Sequence, residues 1–222
     1  RFYGEIFAQI EAAGVVLATS AGNSGPGNFT MGCPACAEAG LAVASLNSQA
    51  QDYPVSIVSM AALEFISLPG SNDEGTTVEI PSNVTAPAVI GGDVDPGNIA
   101  ACLPFSAGSF TGAIAIAFRG ANSASEEACT FADKIINVKA GGATGVIIIN
   151  NVPGDPITMG GLTDLSYPSV MISLSDGQEL LRNYAEGENV TIGAITQFDL
   201  PVGTISRFSS RGPNIDDSVL KP

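Results

Sequence analysis

The sequence predicts a chain of mixed α/β and α+β class: parallel α/β segments at its two ends flank an inserted unit, a mixed β-sheet or open barrel with two or so helices. Three observations carry this. The first fifty residues run helix, strand, loop, strand, the order of a parallel sheet. From about Tyr53 the texture turns to short strand-like segments broken by frequent turn signals. After Asp199 it changes again, to a tail, VGTISRFSSRGPNIDDSVLKP, too short and too poor in apolar residues to be a domain. The expected divisions are 1–59, 60–197 and 198–222, with the tail packed back on the first fifty residues.

Each element has a local cause. Phe2, Ile6, Phe7 and Ile10 share one side of a helix, and Gly14 suits the left-handed residue that ends it. Val15 to Ala18 reads as a short buried strand and Leu41 to Leu46 as another. In the insert, VSIVSM is strand-like, and Ala113 to Phe118 is a strand leading into a helix. On that helix Ala128, Phe131, Ala132, Ile135 and Val138 share a face, with Ser123 and Glu126 placed as a capping box and Gly141 as the stop. Gly145 to Asn150 and YPSVMIS are further strands. A helix opens at Ser175 with Gln178 as its capping partner and ends near Gly187, before a last strand, NVTIGAI.

Composition excludes several functions. Acidic residues number 22 against 8 basic, a formal net charge of −14. Such a surface repels phosphate backbones and anionic lipid heads, so neither nucleic acid nor a membrane is an expected partner. Charged residues are only 14% of the chain while Gly (26) and Pro (14) are plentiful, as in a loop-rich globular protein. The chain opens on Arg1 and carries no secretory leader pattern, and both ends read as cuts inside something longer. It contains no histidine, so the commonest general base and zinc ligand is missing, and any Ser-His-Asp mechanism must borrow its base from elsewhere.

Four cysteines, Cys33, Cys36, Cys102 and Cys129, form one C-x-x-C and two distant singles. The second pair of a zinc knuckle is absent, so no metal or other cofactor is expected, and disulfides of an oxidising compartment fit better than free thiols. Asn28, Asn83 and Asn189 stand in glycosylation sequons, relevant where the host glycosylates. Asp93 and Asp95 have the spacing that opens a calcium loop, but the glutamate at its twelfth position is missing, which leaves solvated turn acids. The loop NNVPGDPITMGG, with Asp155 and Met159, reads either as a crossover loop or as a peptide-contact surface.

The stretch VVLATSAGNSGPG sets an exposed-looking amide, Asn23, just past the end of a strand. Taken alone, N-S-G-P is a turn, and Ser24 beside it is a turn serine. Three separated segments change that reading. GVVLATSAGNSGPG, followed by PACAEAGLAVAS, resembles the oxyanion-loop region of subtilisin-like serine proteases. RFSSRGP with LKP resembles the stretch those enzymes carry shortly before the catalytic serine. Between them FRG, a Cys-Thr-Phe segment with its lysines, AGGATGVIIINN, MGG, YPSVMIS and DGQELL resemble a protease-associated (PA) domain.

The resemblance implies a secreted subtilisin-like serine endopeptidase: residues 1–59 supply the oxyanion-loop part of the catalytic domain, 60–197 the inserted PA domain, and 198–222 the return segment. The triad order Asp, His, Ser would then place Asp and His before Arg1 and Ser after Pro222. Asn23 would be the oxyanion donor, with Gly22 and Pro26 stiffening its turn, and Arg211 would fix the tail by hydrogen bonding. The implied partners are protein or peptide substrates and the remainder of the catalytic domain. The candidate disulfides are Cys102 with Cys129, which flank the Ile114 strand, and Cys33 with Cys36.

Overall fold

The computed structural model describes residues 2–25, 28–46, 51–123, 126–200, 203–206 and 209–213, the side chains of 2, 51–53 and 198–200 excepted. The expected roles of Phe2, Pro26 and the LKP stretch lie outside what is described. The chain divides into two compact units, Arg1–Asp52 with Asp199–Pro222, and Tyr53–Phe198.

In the first unit helix α1 (Phe2–Ala12) half-buries Phe7 and Ile10. Gly14, at φ 80°, supplies the left-handed turn that ends it. Strands β1 (Ala18–Ser20) and β2 (Leu41–Val43) pair in parallel, as the helix-strand-loop-strand order requires. The expected buried strand at Val15 to Ala18 is corrected: Val15 and Val16 are 51% and 80% exposed and precede β1. The Val15 N–H still donates to the Ile10 carbonyl, so this stretch belongs to the helix exit. β1 and β2 form a two-stranded sheet among the described residues, with Leu41 and Val43 also exposed.

The second unit is built on one sheet. Its strands are β3 (Gln51–Met60), β4 (Leu63–Pro69), β5 (Val84–Ile90), β6 (Ile114–Phe118), β7 (Gly145–Ile149), β8 (Ser169–Ile172), β9 (Asn189–Ile192) and β10 (Thr196–Leu200). Their order is β10-β3-β4-β8-β7-β6-β5-β9, and β9 pairs back on β3, which closes a barrel-like ring. The four central strands, β5 to β8, are parallel; the β3, β4 and β9 pairings that close the ring are antiparallel. Every residue of β7 and β8 is buried, which is why GVIII and SVMI read as unbroken apolar runs and not as alternating ones.

Helices α3 (Phe131–Ala140) and α4 (Leu174–Asn183) pack on β7, and a single turn, α2 (Gly91–Val94), follows β5. α3 buries Ile135 and Val138, two of the residues its apolar stripe singles out. α4 approaches so closely at Gly177 that a Cβ there would lie 2.2 Å from Ile149 Cγ2, so only glycine fits. Both helix starts differ from the sequence expectation. α3 begins at Thr130, whose hydroxyl accepts from the Asp133 N–H while the Asp133 carboxylate accepts from the Thr130 N–H. Ser123, Glu126 and Ala128 precede the helix: the cap Thr130 has extended backbone, and Cys129 just before it is tied to Cys102 by a disulfide. α4 is capped by Ser173, which accepts from the Asp176 N–H, two residues ahead of the expected Ser175. It ends at Asn183, and Gly187 lies in the turn beyond.

Candidate functional site

The loop that follows β1 is where the first and last segments of the first unit meet. The Ala21 N–H continues the β1–β2 pairing by donating to the Val43 carbonyl at 2.9 Å, and Ala21 is buried. Gly22 then turns the chain at φ 103°, a conformation open to glycine and costly to other residues. Asn23 is exposed, and its side chain has no hydrogen-bond partner among the described residues.

Its neighbours are fixed. The Ser210 N–H donates to the Gly22 carbonyl at 2.9 Å, and the Ser24 N–H donates to Ser210 Oγ at 3.0 Å. One fully buried serine thus holds the backbone on both sides of Asn23.

Further bonds immobilise the tail. Thr30 N–H donates to the Arg211 carbonyl and Arg211 N–H to Thr30 Oγ1, both at 3.0 Å. Ser45 N–H donates to Ser209 Oγ at 3.1 Å, Ser206 N–H donates to the Ser45 carbonyl at 2.9 Å, and the Ser45 and Ser206 hydroxyls share a bond of 2.9 Å. Ser206 and the two serines of FSSRGP, Ser209 and Ser210, are therefore bridging groups, and all are buried. Arg211 does tie the tail to the loop, but through its backbone. Its Nε is buried with no hydrogen-bond partner among the described residues.

Chemically the loop offers a neutral donor on a braced backbone. The chain has no histidine to act as a base, and among the described residues no group of three or more acidic or cysteine side chains could hold a metal. Cys33 and Cys36 are bonded to each other a few residues beyond the loop.

In the second unit the pairing Cys102–Cys129 is present, and Lys134 lies beneath it, 1% exposed. Its ammonium donates to the carbonyls of Ala100 at 2.6 Å and Gly120 at 2.7 Å and touches Cys102 Sγ at 3.5 Å. Burial pushes its pKa down to about 8, against a smaller upward pull from the Asp133 carboxylate. Sequence patterning placed the lysine on a helix; only the fold shows that it is interior. At the carboxyl ends of β6 and β7, Arg119 Nη1 and the Asn151 N–H both donate to Asn150 Oδ1, and Asn150 Nδ2 donates to the Asp155 carbonyl.

These bonds pin the 150–161 loop from within, and Met159 is a core residue with no exposed surface. A pocket of about 100 Å³ lies between Ala132, Ile135 and Ile136 of α3 and Leu162, with the Lys139–Asp164 ion pair on its rim. It is smaller than the roughly 300 Å³ at which small-molecule sites begin. Asn28, Asn83 and Asn189 are all exposed.

Residues 84–180 match the PA domain family. The minor extracellular protease Vpr of Bacillus subtilis is 30% identical over 209 residues, 94% of this chain and 24% of Vpr. Leucine aminopeptidase 2 of Arthroderma otae is 37% identical over 73 residues, 32% of this chain and 15% of that protein. This chain thus spans about a quarter of the length of Vpr. Among solved structures, BSAP, a zinc aminopeptidase from Bacillus subtilis, aligns over 74% of this chain and 35% of its own at 22% identity and TM-score 0.46. The psychrophilic subtilisin-like protease Apa1 from Pseudoalteromonas sp. AS-11 aligns over 89% of this chain and 51% of its own at 16% identity and TM-score 0.46. The chain carries a PA domain over residues 84–180 and is related in sequence to peptidases.

Proposed function

We propose that this chain is part of a secreted serine endopeptidase of the subtilisin type, in which residues 1–59 and 198–222 belong to the catalytic domain and 60–197 are an inserted PA domain that guides or restricts access of protein substrates. The observation that carries this reading is the Asn23 loop: an exposed amide, without a hydrogen-bond partner among the described residues, whose flanking peptides are locked by Ser210. The Asn23 Nδ2 group would donate to the carbonyl oxygen that becomes negative when the peptide bond is attacked. Being neutral, it does so at any working pH, and being braced, it needs no reorganisation during the reaction. The nucleophile, base and orienting carboxylate come from the remainder of the catalytic domain, so these 222 residues alone are inert.

Two facts support the larger assignment. Similarity to Vpr extends over 94% of the chain, well past the PA match at 84–180, and so takes in segments of the first unit. The exposed Val15, Val16, Leu41 and Val43 are also apolar surface of the kind that further elements of a parallel sheet would cover. Among the described residues no helix is long and apolar enough to cross a membrane.

A second reading, a protein-binding PA module without chemistry, is favoured by the absence of histidine and by the match of 73 residues to leucine aminopeptidase 2, an aminopeptidase and not an endopeptidase. A fluorophosphonate probe applied to the full-length protein separates the two. Covalent labelling of a serine supports the serine endopeptidase; a protein that stays unlabelled while folded belongs to the second reading.

A further inference from the structure

We infer that Ser210 is the positioning residue for the Asn23 amide, an inference that rests on the oxyanion reading of Asn23. An exposed amide on a loop is a poor transition-state donor unless something other than its own side chain fixes it, since a donor free to swing must be ordered as the reaction proceeds. Here the fixing group is identifiable. Ser210 is fully buried and 186 residues away in sequence, yet it accepts from the Ser24 N–H through Oγ and donates to the Gly22 carbonyl through its own N–H. The peptides on either side of Asn23 therefore answer to one residue.

The steric fit agrees. At Gly22 the position of a Cβ lies 2.9 Å from Ser210 Oγ, so the hydroxyl occupies the space that any larger residue at 22 would need. Gly22 and Ser210 are in this sense a matched pair: the glycine admits both the φ of 103° and the approach of the hydroxyl. Ser210 is itself held on both sides, by Ser209 to the Ser45 N–H and by Arg211 to Thr30. The brace thus passes from the β2 exit, through the FSSRGP tail, to the donor.

The test is steady-state kinetics on the full-length protein, with rates expressed per site titrated by a fluorophosphonate so that misfolded molecules do not count. Asn23→Ala, Ser210→Ala and the double variant are compared. Ser210→Ala removes one acceptor and keeps the backbone bond to Gly22. It should lower kcat about 5- to 30-fold, the range of one lost hydrogen bond, with KM within about twofold. In the Asn23→Ala background the same change should cost nothing further, because the group it positions has gone.

A Ser210→Ala loss that multiplies with that of Asn23→Ala, or no loss from Ser210→Ala at all, overturns the positioning role and leaves the oxyanion reading intact. An unchanged kcat in Asn23→Ala overturns both. Where Ser210→Ala does not fold, Ser210→Cys, which keeps the size and a weaker acceptor, should show a smaller loss that again vanishes without Asn23.

Discussion

The ammonium of Lys134 donates to the Gly120 carbonyl at 2.7 Å and so joins α3 to the end of β6 from inside the protein. Among the described residues its charge is carried by the Ala100 and Gly120 carbonyl groups, and burial lowers its pKa from 10.5 to about 8.

That shift gives a pH dependence of definite sign. Between pH 8 and 10.5 the unfolded chain holds a proton on Lys134 that the folded chain has lost, so unfolding takes up a proton and stability rises with pH. The gain from pH 7 to 9.5 is about 2 kcal/mol. Few other groups compete, because the chain has no histidine and all four cysteines are oxidised. Above pH 10 the trend reverses: burial holds Tyr167 and Tyr184 neutral in the folded state, while the unfolded chain ionises them at their ordinary value of 10.0. Urea unfolding at pH 7, 8.5 and 9.5 should show a rising midpoint, and Lys134→Met should flatten it.

The Cys102–Cys129 bridge closes a loop with a sequence separation of 27, for which the loop-entropy relation gives roughly 3 kcal/mol or more. Replacing both cysteines with serine should lower stability by about that amount. The same replacement at Cys33 and Cys36, separated by 3, should cost clearly less. Intact masses of reduced and unreduced protein should differ by the four hydrogens of two bridges.

The start of α3 can be located by mutation. Thr130→Ala removes the hydroxyl that accepts from the Asp133 N–H and should cost about 1 kcal/mol. Ser123→Ala, ahead of the helix, should leave the helical circular-dichroism signal of α3 unchanged, since Thr130 and not Ser123 caps it.

That contrast shows what could be read in the sequence and what could not. The parallel core strands declared themselves because strands covered on both faces need unbroken apolar runs, and Ile147, Ile148 and Ile149 form one. The helix caps were misplaced because Ser123, Thr130, Ser173 and Ser175 are all competent caps locally. The choice among them is made by the bridge at Cys129 and by the end of β8, which are tertiary facts.

The short strand after α1 was misjudged for a similar reason: Val15 and Val16 are apolar enough to be buried, but burial needs a covering partner. In the candidate site Asn23 was legible from its motif. Ser210, 187 residues later, was legible only as part of a tail, since nothing local says which residue a hydroxyl will meet.

Whether Asn23 is a transition-state donor is decided by kcat, measured separately from KM, in full-length Asn23→Ala. In subtilisin the loss of one such side-chain donor costs about 10² to 10³ in kcat. A fall of that order with KM little changed is expected for Asn23→Ala, since the bond strengthens only as the oxyanion forms. A raised KM with kcat intact would make Asn23 a substrate-binding residue, and no change in either would leave it a turn residue; both outcomes overturn the transition-state role.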